Sequence, residues 1–293
     1  MPTLPRLPLL FPFMAVLAFA AAVLGAEFRP DIEYGRAGDV SLQLDAYIPD
    51  TPGPHPVAIL IHGGGWSRGD KRTVPEGDNS DITPWFGAFT RAGYACFSIN
   101  YRLAPAHLWP ACFEDVQTAI RWVKAHAAEY QGDPNRIVLV GHSAGGHLAC
   151  LAAVRADADT RVQAVVGYAP VTDQVKDSAR RNGLSPALQR LLNRPNLIDD
   201  ESARLLREIS ANTYIKPGLP PFFLIHGTAD KSVPYDQSPA FQEQLRAAGV
   251  ECELVTIPDA PHAFGTWINL ASDYQQRMFT WLQTKLEAGA KTP

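Results

Sequence analysis

The sequence has little that would mark a specialised class of protein. Its formal net charge is only −4 and its isoelectric point is near 6.1, so nothing electrostatic calls for a nucleic acid or an anionic membrane as partner. There are four cysteines, Cys96, Cys112, Cys150 and Cys252, and their spacing is not that of a zinc site. No internal repeat is present. What remains is an ordinary globular composition, 46% hydrophobic and 19% charged, in a chain of 293 residues. That length suits one large domain with a full core.

The N-terminus differs from the rest. Leu9 to Leu24 is uncharged and apolar, Arg6 is the one basic residue before it, and small residues follow up to Gly25-Ala26. This is the pattern of a secretory signal, expected to span residues 1–26 with the cut after Ala26, or after Ala22 as the alternative because Leu24 fits the small-residue rule poorly. The competing reading is an uncleaved membrane anchor. Sixteen residues, interrupted by Pro12, are slightly short for that. No cysteine stands near the cut to carry a lipid. A secreted or periplasmic location would permit disulfides. Four cysteines allow three pairings, and buried unpaired thiols are an equal alternative, since Cys96 and Cys150 stand in apolar runs.

From residue 27 onward the pattern predicts strands alternating with helices. Val40–Ile48 alternates as a strand with one wet face. Val57–Ile61 is a continuous apolar run, suited to a strand covered on both faces, and Tyr94–Ile99, Ile137–Val140, Ala164–Tyr168, Phe222–His226 and Cys252–Ile257 add further strands. Phe113, Val116, Ile120, Val123 and Ala127 recur at helical spacing, and so do Tyr274, Met278, Trp281, Leu282 and Leu286. Asp236 to Ala248 reads as a helix ended by Gly249, with Asp236 as its cap. The predicted fold class is α/β, a mostly parallel central sheet with helices on both faces. Residues 174–217 break the rhythm. They hold no strand-like run, are polar and are too long for a plain connection, so a small helical lid is expected there.

Gly141-His142-Ser143-Ala144-Gly145 sits between the strand Ile137–Val140 and a run of small residues beginning Ala144-Gly145-Gly146. This G-x-S-x-G in a strand-to-helix context is a nucleophile elbow, with Ser143 pushed into the open at a strained turn. A serine hydroxyl needs a base to take its proton, and the base needs an acid to hold its tautomer. In this fold logic the acid follows the serine and the histidine follows the acid. Asp230 lies just past one predicted strand and His262 just past the last, where open α/β sheets place their sites. The other seven histidines precede Asp230, and His142 and His147 suit packing and hydrogen bonding. Asp259 and Asp236 are rival acids, one in a turn and the other at a helix start.

Acyl transfer also needs amide donors aimed at the developing oxyanion, each worth about 3–4 kcal/mol. His62-Gly63-Gly64-Gly65-Trp66, directly after a buried strand, supplies backbone free of side chains, and the Ala144 N–H at the helix start is a further donor. Trp66 is expected to border the acyl pocket or pack in the core. Asp70, Lys71, Tyr101 and Arg102 are expected to pin the glycine loop. Tyr168 and the lid are candidates to shape the leaving-group side.

These stretches carry a resemblance. Leu44–Pro49 (LDAYIP), His62–Lys71 (HGGGWSRGDK), Asn100–Pro105 (NYRLAP), Gly141–Ala149 (GHSAGGHLA), Leu219–Pro234 and Pro261–Phe264 (PHAF) span nearly the whole chain after the leader. Together they resemble an α/β-hydrolase esterase of the hormone-sensitive-lipase-like group with an HGGGW loop, similar to bacterial bifunctional acetylxylan/feruloyl esterases. The resemblance implies an α/β-hydrolase catalytic domain over residues 27–293, catalytic Ser143, Asp230 and His262, and oxyanion donors Gly64, Gly65 and Ala144. It also implies no metal and no cofactor. The expected activity is a secreted serine carboxylesterase acting on short or aromatic acyl esters, acetyl or feruloyl groups on plant polysaccharide. Arylformamidases share a similar loop, so an amide-cleaving relative is the runner-up. A non-catalytic binding protein on this fold is the alternative of another class.

Overall fold

The computed structural model describes residues 26–72 and 83–289. The expected signal segment lies outside the described residues except for Ala26. Ala26–Ala37 (β1) and Val40–Pro49 (β2) form an antiparallel pair. His55–Ile61 (β3), Thr83–Arg91 (α1), Ala95–Ile99 (β4), Ala111–His126 (α2), Gly132–His142 (β5), Ala144–Val154 (α3) and Ala164–Tyr168 (β6) follow. Then come Gln174–Arg181 (α4), Pro186–Leu192 (α5), Asp200–Glu208 (α6), Phe222–Gly227 (β7), Gln237–Ala247 (α7), Cys252–Ile257 (β8), Trp267–Leu270 (α8) and Tyr274–Gly289 (α9).

The strands form one sheet in the order β1-β2-β4-β3-β5-β6-β7-β8. From β4 to β8 every pairing is parallel; β2 runs antiparallel to β4 and β1 antiparallel to β2. This is the mostly parallel sheet expected from the sequence. β3 shows why its residues read as a doubly covered strand. Val57, Ile59 and Ile61 enter the core on one face, and Ala58 and Leu60 enter the core on the other. β5 divides in the same way, with Ile137 and Leu139 on one side and Val138 and Val140 on the other. Each fully buried aliphatic side chain of this kind contributes about 1.5–3 kcal/mol. α3 is buried along its whole length, which is why its sequence is small and apolar on every side.

Two elements were silent in the sequence. β1 carries Arg, Pro, Asp and Glu with little apolar alternation and is mostly exposed; pairing with β2 keeps it extended, with register shifts between Arg29 and Ile32 and between Glu33 and Gly35. α1 is short, and Trp85, Phe86 and Phe89 anchor it to the sheet.

Residues 174–217 fold into α4, α5, α6 and a 3₁₀ turn at Ala211–Tyr214. A polar stretch becomes helical here because each helix start is capped. Asp173 accepts from the Lys176 amide at 2.9 Å, Ser185 from Leu188 at 3.2 Å and Asp199 from Ser202 at 2.8 Å, each worth about 1 kcal/mol. Asn182 and Asn193 end α4 and α5 in the left-handed conformation that asparagine tolerates. Asp236 does not act as the expected cap. It stands at the start of α7, but its carboxylate pairs with Lys176 and Arg180 of α4.

All four cysteines are buried and unpaired. Burial pushes the Cys112 and Cys252 thiols up to about 12 and raises Cys96 and Cys150 as well, so none forms a reactive thiolate at neutral pH. Ellman's reagent should therefore find no accessible thiol in the folded protein and all four after unfolding in guanidinium. A count below four in the unfolded, unreduced chain would contradict this arrangement.

Candidate active site

β5 ends at His142 and α3 begins at Ala144, so Ser143 alone makes the turn. Its backbone has φ +55° and ψ −117°, a region that costs a non-glycine residue about 1–3 kcal/mol. The neighbouring strands hold it there. The Ser143 amide donates to the Tyr168 carbonyl at 2.9 Å, and its own carbonyl accepts from His147 at 2.8 Å to start the helix. Gly145 is required by close approach. A Cβ on it would run into the carbonyl oxygens of Ile61 and His62 at the end of β3.

His262 reaches Ser143 from the loop after β8. Its Nε2 lies 2.9 Å from Ser143 Oγ, and its Nδ1 lies 2.6 Å from Asp230 Oδ2. Asp230 follows β7. The two loops are tied together by Ala229 N–H donating to the Ala260 carbonyl at 3.1 Å and Thr228 N–H donating to the Ile257 carbonyl at 3.0 Å. The structure thus brings together three side chains that stand far apart in the chain. Of the rival acids, Asp259 is exposed in the turn, and its amide donates to Thr228 Oγ1 at 2.9 Å.

The Asp230 side chain is fully buried. Burial alone would raise its carboxyl, but hydrogen bonds from His226 and His262 outweigh that and hold it well below the usual carboxylate range. Its Oδ1 accepts from the Ser232 and Val233 amides, both at 2.8 Å, and His226 Nε2 lies 3.3 Å from Oδ2. His226 was not singled out as a partner of the acid in the sequence. Its four-residue offset before Asp230 was the available signal. Ser238 Oγ, 2.7 Å from Nδ1, and the Val233 carbonyl, 3.1 Å from Nε2, fix the orientation of its ring. His142 donates from Nε2 to the His262 carbonyl at 3.0 Å, fixing the backbone of the base.

The glycine loop lies directly beside the serine. Gly65, Trp66, Ser143, Ala144 and His262 line one cavity of about 410 Å³. Gly64, with φ +103°, sits one residue behind, its Cα against the Arg68 carbonyl, a place no side chain would fit. Ala144 is the first residue of α3, so the helix ladder leaves its N–H unused. Several anchors hold the loop. Tyr101 Oη donates to the carbonyls of His62 and Gly63 at 3.0 and 3.3 Å. Asn100 accepts from the Lys71 amide at 2.6 Å and donates to Asp70 at 3.0 Å. Lys71, itself buried, pairs with Asp31 at 2.8 Å.

Trp66 does both things expected of it. It lines the cavity and is buried, and its indole N–H donates to His147 Nδ1 at 3.1 Å. His147 Nε2–H in turn donates to the Ile209 carbonyl at 2.7 Å, so one neutral imidazole links the glycine loop, α3 and the end of α6. Two other expectations are corrected. Arg102 grips Asp115 of α2 instead of the glycine loop, because that carboxylate offers both oxygens at 2.8–3.0 Å. Tyr168 does not shape the cavity. It is fully buried among Trp85, Phe264 and Trp267, and its hydroxyl meets Met278 Sδ.

The BD-FAE family pattern matches residues 44–245. The chain is 37% identical over 262 residues to the esterase LipQ of Mycobacterium tuberculosis, covering 85% of this chain and 59% of that protein. It thus spans little more than half the length of that curated relative. Among solved structures, a Thermogutta terrifontis esterase with propionate bound superposes with a TM-score of 0.70 at 28% identity, covering 89% of this chain and 94% of the other. A truncated carbohydrate esterase from gut microbiota shares the fold at 24% identity and a TM-score of 0.74, covering 89% and 96%.

The buried imidazoles make stability depend on acid. Burial lowers His62 and His147 to about 4 and holds His142 well below its usual value. The unfolded chain protonates these rings near pH 6.5, whereas the folded chain resists. Stability is therefore lost as pH falls from about 6.5 to about 4, by up to about 3 kcal/mol for each of His62 and His147. Asp230, depressed in the folded state, contributes stability above about pH 4 that is lost on further acidification. Urea midpoints measured from pH 8 to pH 4 should fall steadily below pH 6.5. His147→Gln should lower the midpoint at pH 7 and flatten that fall; an unchanged slope would contradict the assignment.

Proposed function

Since this chain belongs to the BD-FAE family of α/β-hydrolases, we propose that it is a serine carboxylesterase, exported from the cytoplasm, that removes acetyl or feruloyl groups from plant polysaccharide. The observation that carries this reading is the placement of His262 between Ser143 Oγ at 2.9 Å and Asp230 at 2.6 Å. Ser143 attacks the ester carbonyl while His262 takes its proton. Asp230, an acceptor for four N–H donors, holds the ring with Nδ1 protonated so that Nε2 faces the serine. The amides of Gly64, Gly65 and Ala144 stabilise the tetrahedral oxyanion. His262 then protonates the departing alcohol, leaving an acyl-enzyme. Water, activated by the same imidazole, attacks the acyl carbon and releases the acid.

The cavity supports small or flat acyl groups. Among the described residues its apolar lining is Val171, Ala187, Val233, Ala263, Pro186, Ala144 and Trp66, short side chains apart from the indole. The propionate in the Thermogutta relative is a ligand of that size. The same cavity also carries polar side chains from the lid segment, Gln174, Asp177 and Ser185, which suit the hydroxyl-rich alcohol portion of a polysaccharide ester. The resemblance to acetylxylan and feruloyl esterases points to the same substrates, and the apolar run at Leu9–Leu24 supports export.

Ser143→Ala should reduce hydrolysis of p-nitrophenyl acetate by 10⁴-fold or more, on the order expected when a nucleophile is lost, with the urea midpoint no lower than that of the wild type. Retained turnover would overturn the mechanism.

Asp230→Asn should stay folded and lose kcat on the order of 10⁴-fold. Across p-nitrophenyl esters, kcat/KM should peak at two to four carbons and collapse by twelve. A panel of acetylated xylan, methyl ferulate and N-formylkynurenine tests the substrate class, and preference for the formamide would move the enzyme to the amide-cleaving branch.

A further inference from the structure

Several ionisable groups of the described residues surround the catalytic cavity. Among the described residues, Arg68, Arg181 and Arg190 line it together with His262 and one carboxylate, Asp177. That carboxylate is already committed, since Arg181 Nε donates to Asp177 Oδ2 at 2.8 Å, and the same guanidinium also donates to the Ser232 carbonyl at 2.7 Å. Asp177 and Arg181 thus cancel. Arg190, in the last turn of α5, is exposed, and its guanidinium has no hydrogen bond or ion pair among the described residues. Among the described residues, Arg190 thus brings a positive charge with no counter-ion to the edge of this cavity.

Position fixes which part of a substrate meets that charge. The acyl group must lie beside Ser143 and the oxyanion loop, in the floor of the cavity. A polymeric alcohol has to leave through the exposed rim, where Arg190 stands. Resting on the esterase reading, we infer that the enzyme selects esters whose alcohol portion carries a carboxylate, an acylated acidic sugar residue or its neighbour in the chain, with Arg190 as the recognising group. A guanidinium suits this task because its planar fork matches a carboxylate in a bidentate pair. The attraction operates at a wet rim, so a moderate preference is expected, which salt weakens.

Three acetate esters differing in leaving-group charge test this: 4-acetoxybenzoate, methyl 4-acetoxybenzoate and acetylcholine. Each kcat/KM is divided by the ester's alkaline hydrolysis rate to remove intrinsic reactivity. At about 20 mM ionic strength the anion should exceed the neutral ester by about three- to tenfold, through KM, with the cation last. The order should compress at about 0.5 M salt. Arg190→Ala should abolish the preference while leaving the neutral ester within about twofold, and Arg190→Lys should restore part of it. Equal normalised rates in the wild type, or an equal loss on all three esters in Arg190→Ala, would overturn the inference alone. No turnover of the neutral ester would overturn the esterase reading beneath it.

Discussion

The approach of α3 to the end of β3 is the contact on which the site depends. Gly145 lies so close to the Ile61 and His62 carbonyls that no side chain is possible there. That approach presses the start of the helix against the glycine loop. It puts the Ala144 amide, the loop amides and Ser143 around one small volume. The strain at Ser143 follows from the same geometry. A strand that ends against its neighbour and turns at once into a helix has to pass through an unfavourable backbone conformation, and the burial of β5 and α3 on all sides keeps it there.

Around this contact burial keeps His62, His142 and His147 neutral and hydrogen bonds keep one aspartate charged. Four histidines near the site, His62, His142, His147 and His226, are buried and serve as hydrogen-bonding spacers. Each is held by a specific carbonyl, hydroxyl or indole partner. His262 alone is exposed enough to meet substrate. A chain with many imidazoles in one neighbourhood thus presents one of them to the cavity.

Much of this was legible in the sequence because the signals are local. The elbow joins a β-rich run to a small-residue run within ten positions, and Asp230 and His262 each follow an apolar strand. The alternation of strands and helices gave the parallel sheet for the same reason. What escaped depends on partners distant in the chain. β1 is a strand because β2 lies beside it, and its own residues carry no pattern that says so. Arg102 turned to Asp115, and Asp236 to α4, since a long-range ion pair outcompetes the nearby role that each residue type suggests. Tyr168 looked available because it ends a strand at the site edge, but the aromatic packing of Trp85, Phe264 and Trp267 encloses it.

Asp230 already accepts from two imidazoles and two main-chain amides. Its lone pairs are saturated, and the field of those dipoles favours the anion throughout turnover. In the proposed mechanism the carboxylate therefore has no vacancy for a hydron when the imidazolium of His262 forms. Within that proposal, charge separation is sustained across the dyad.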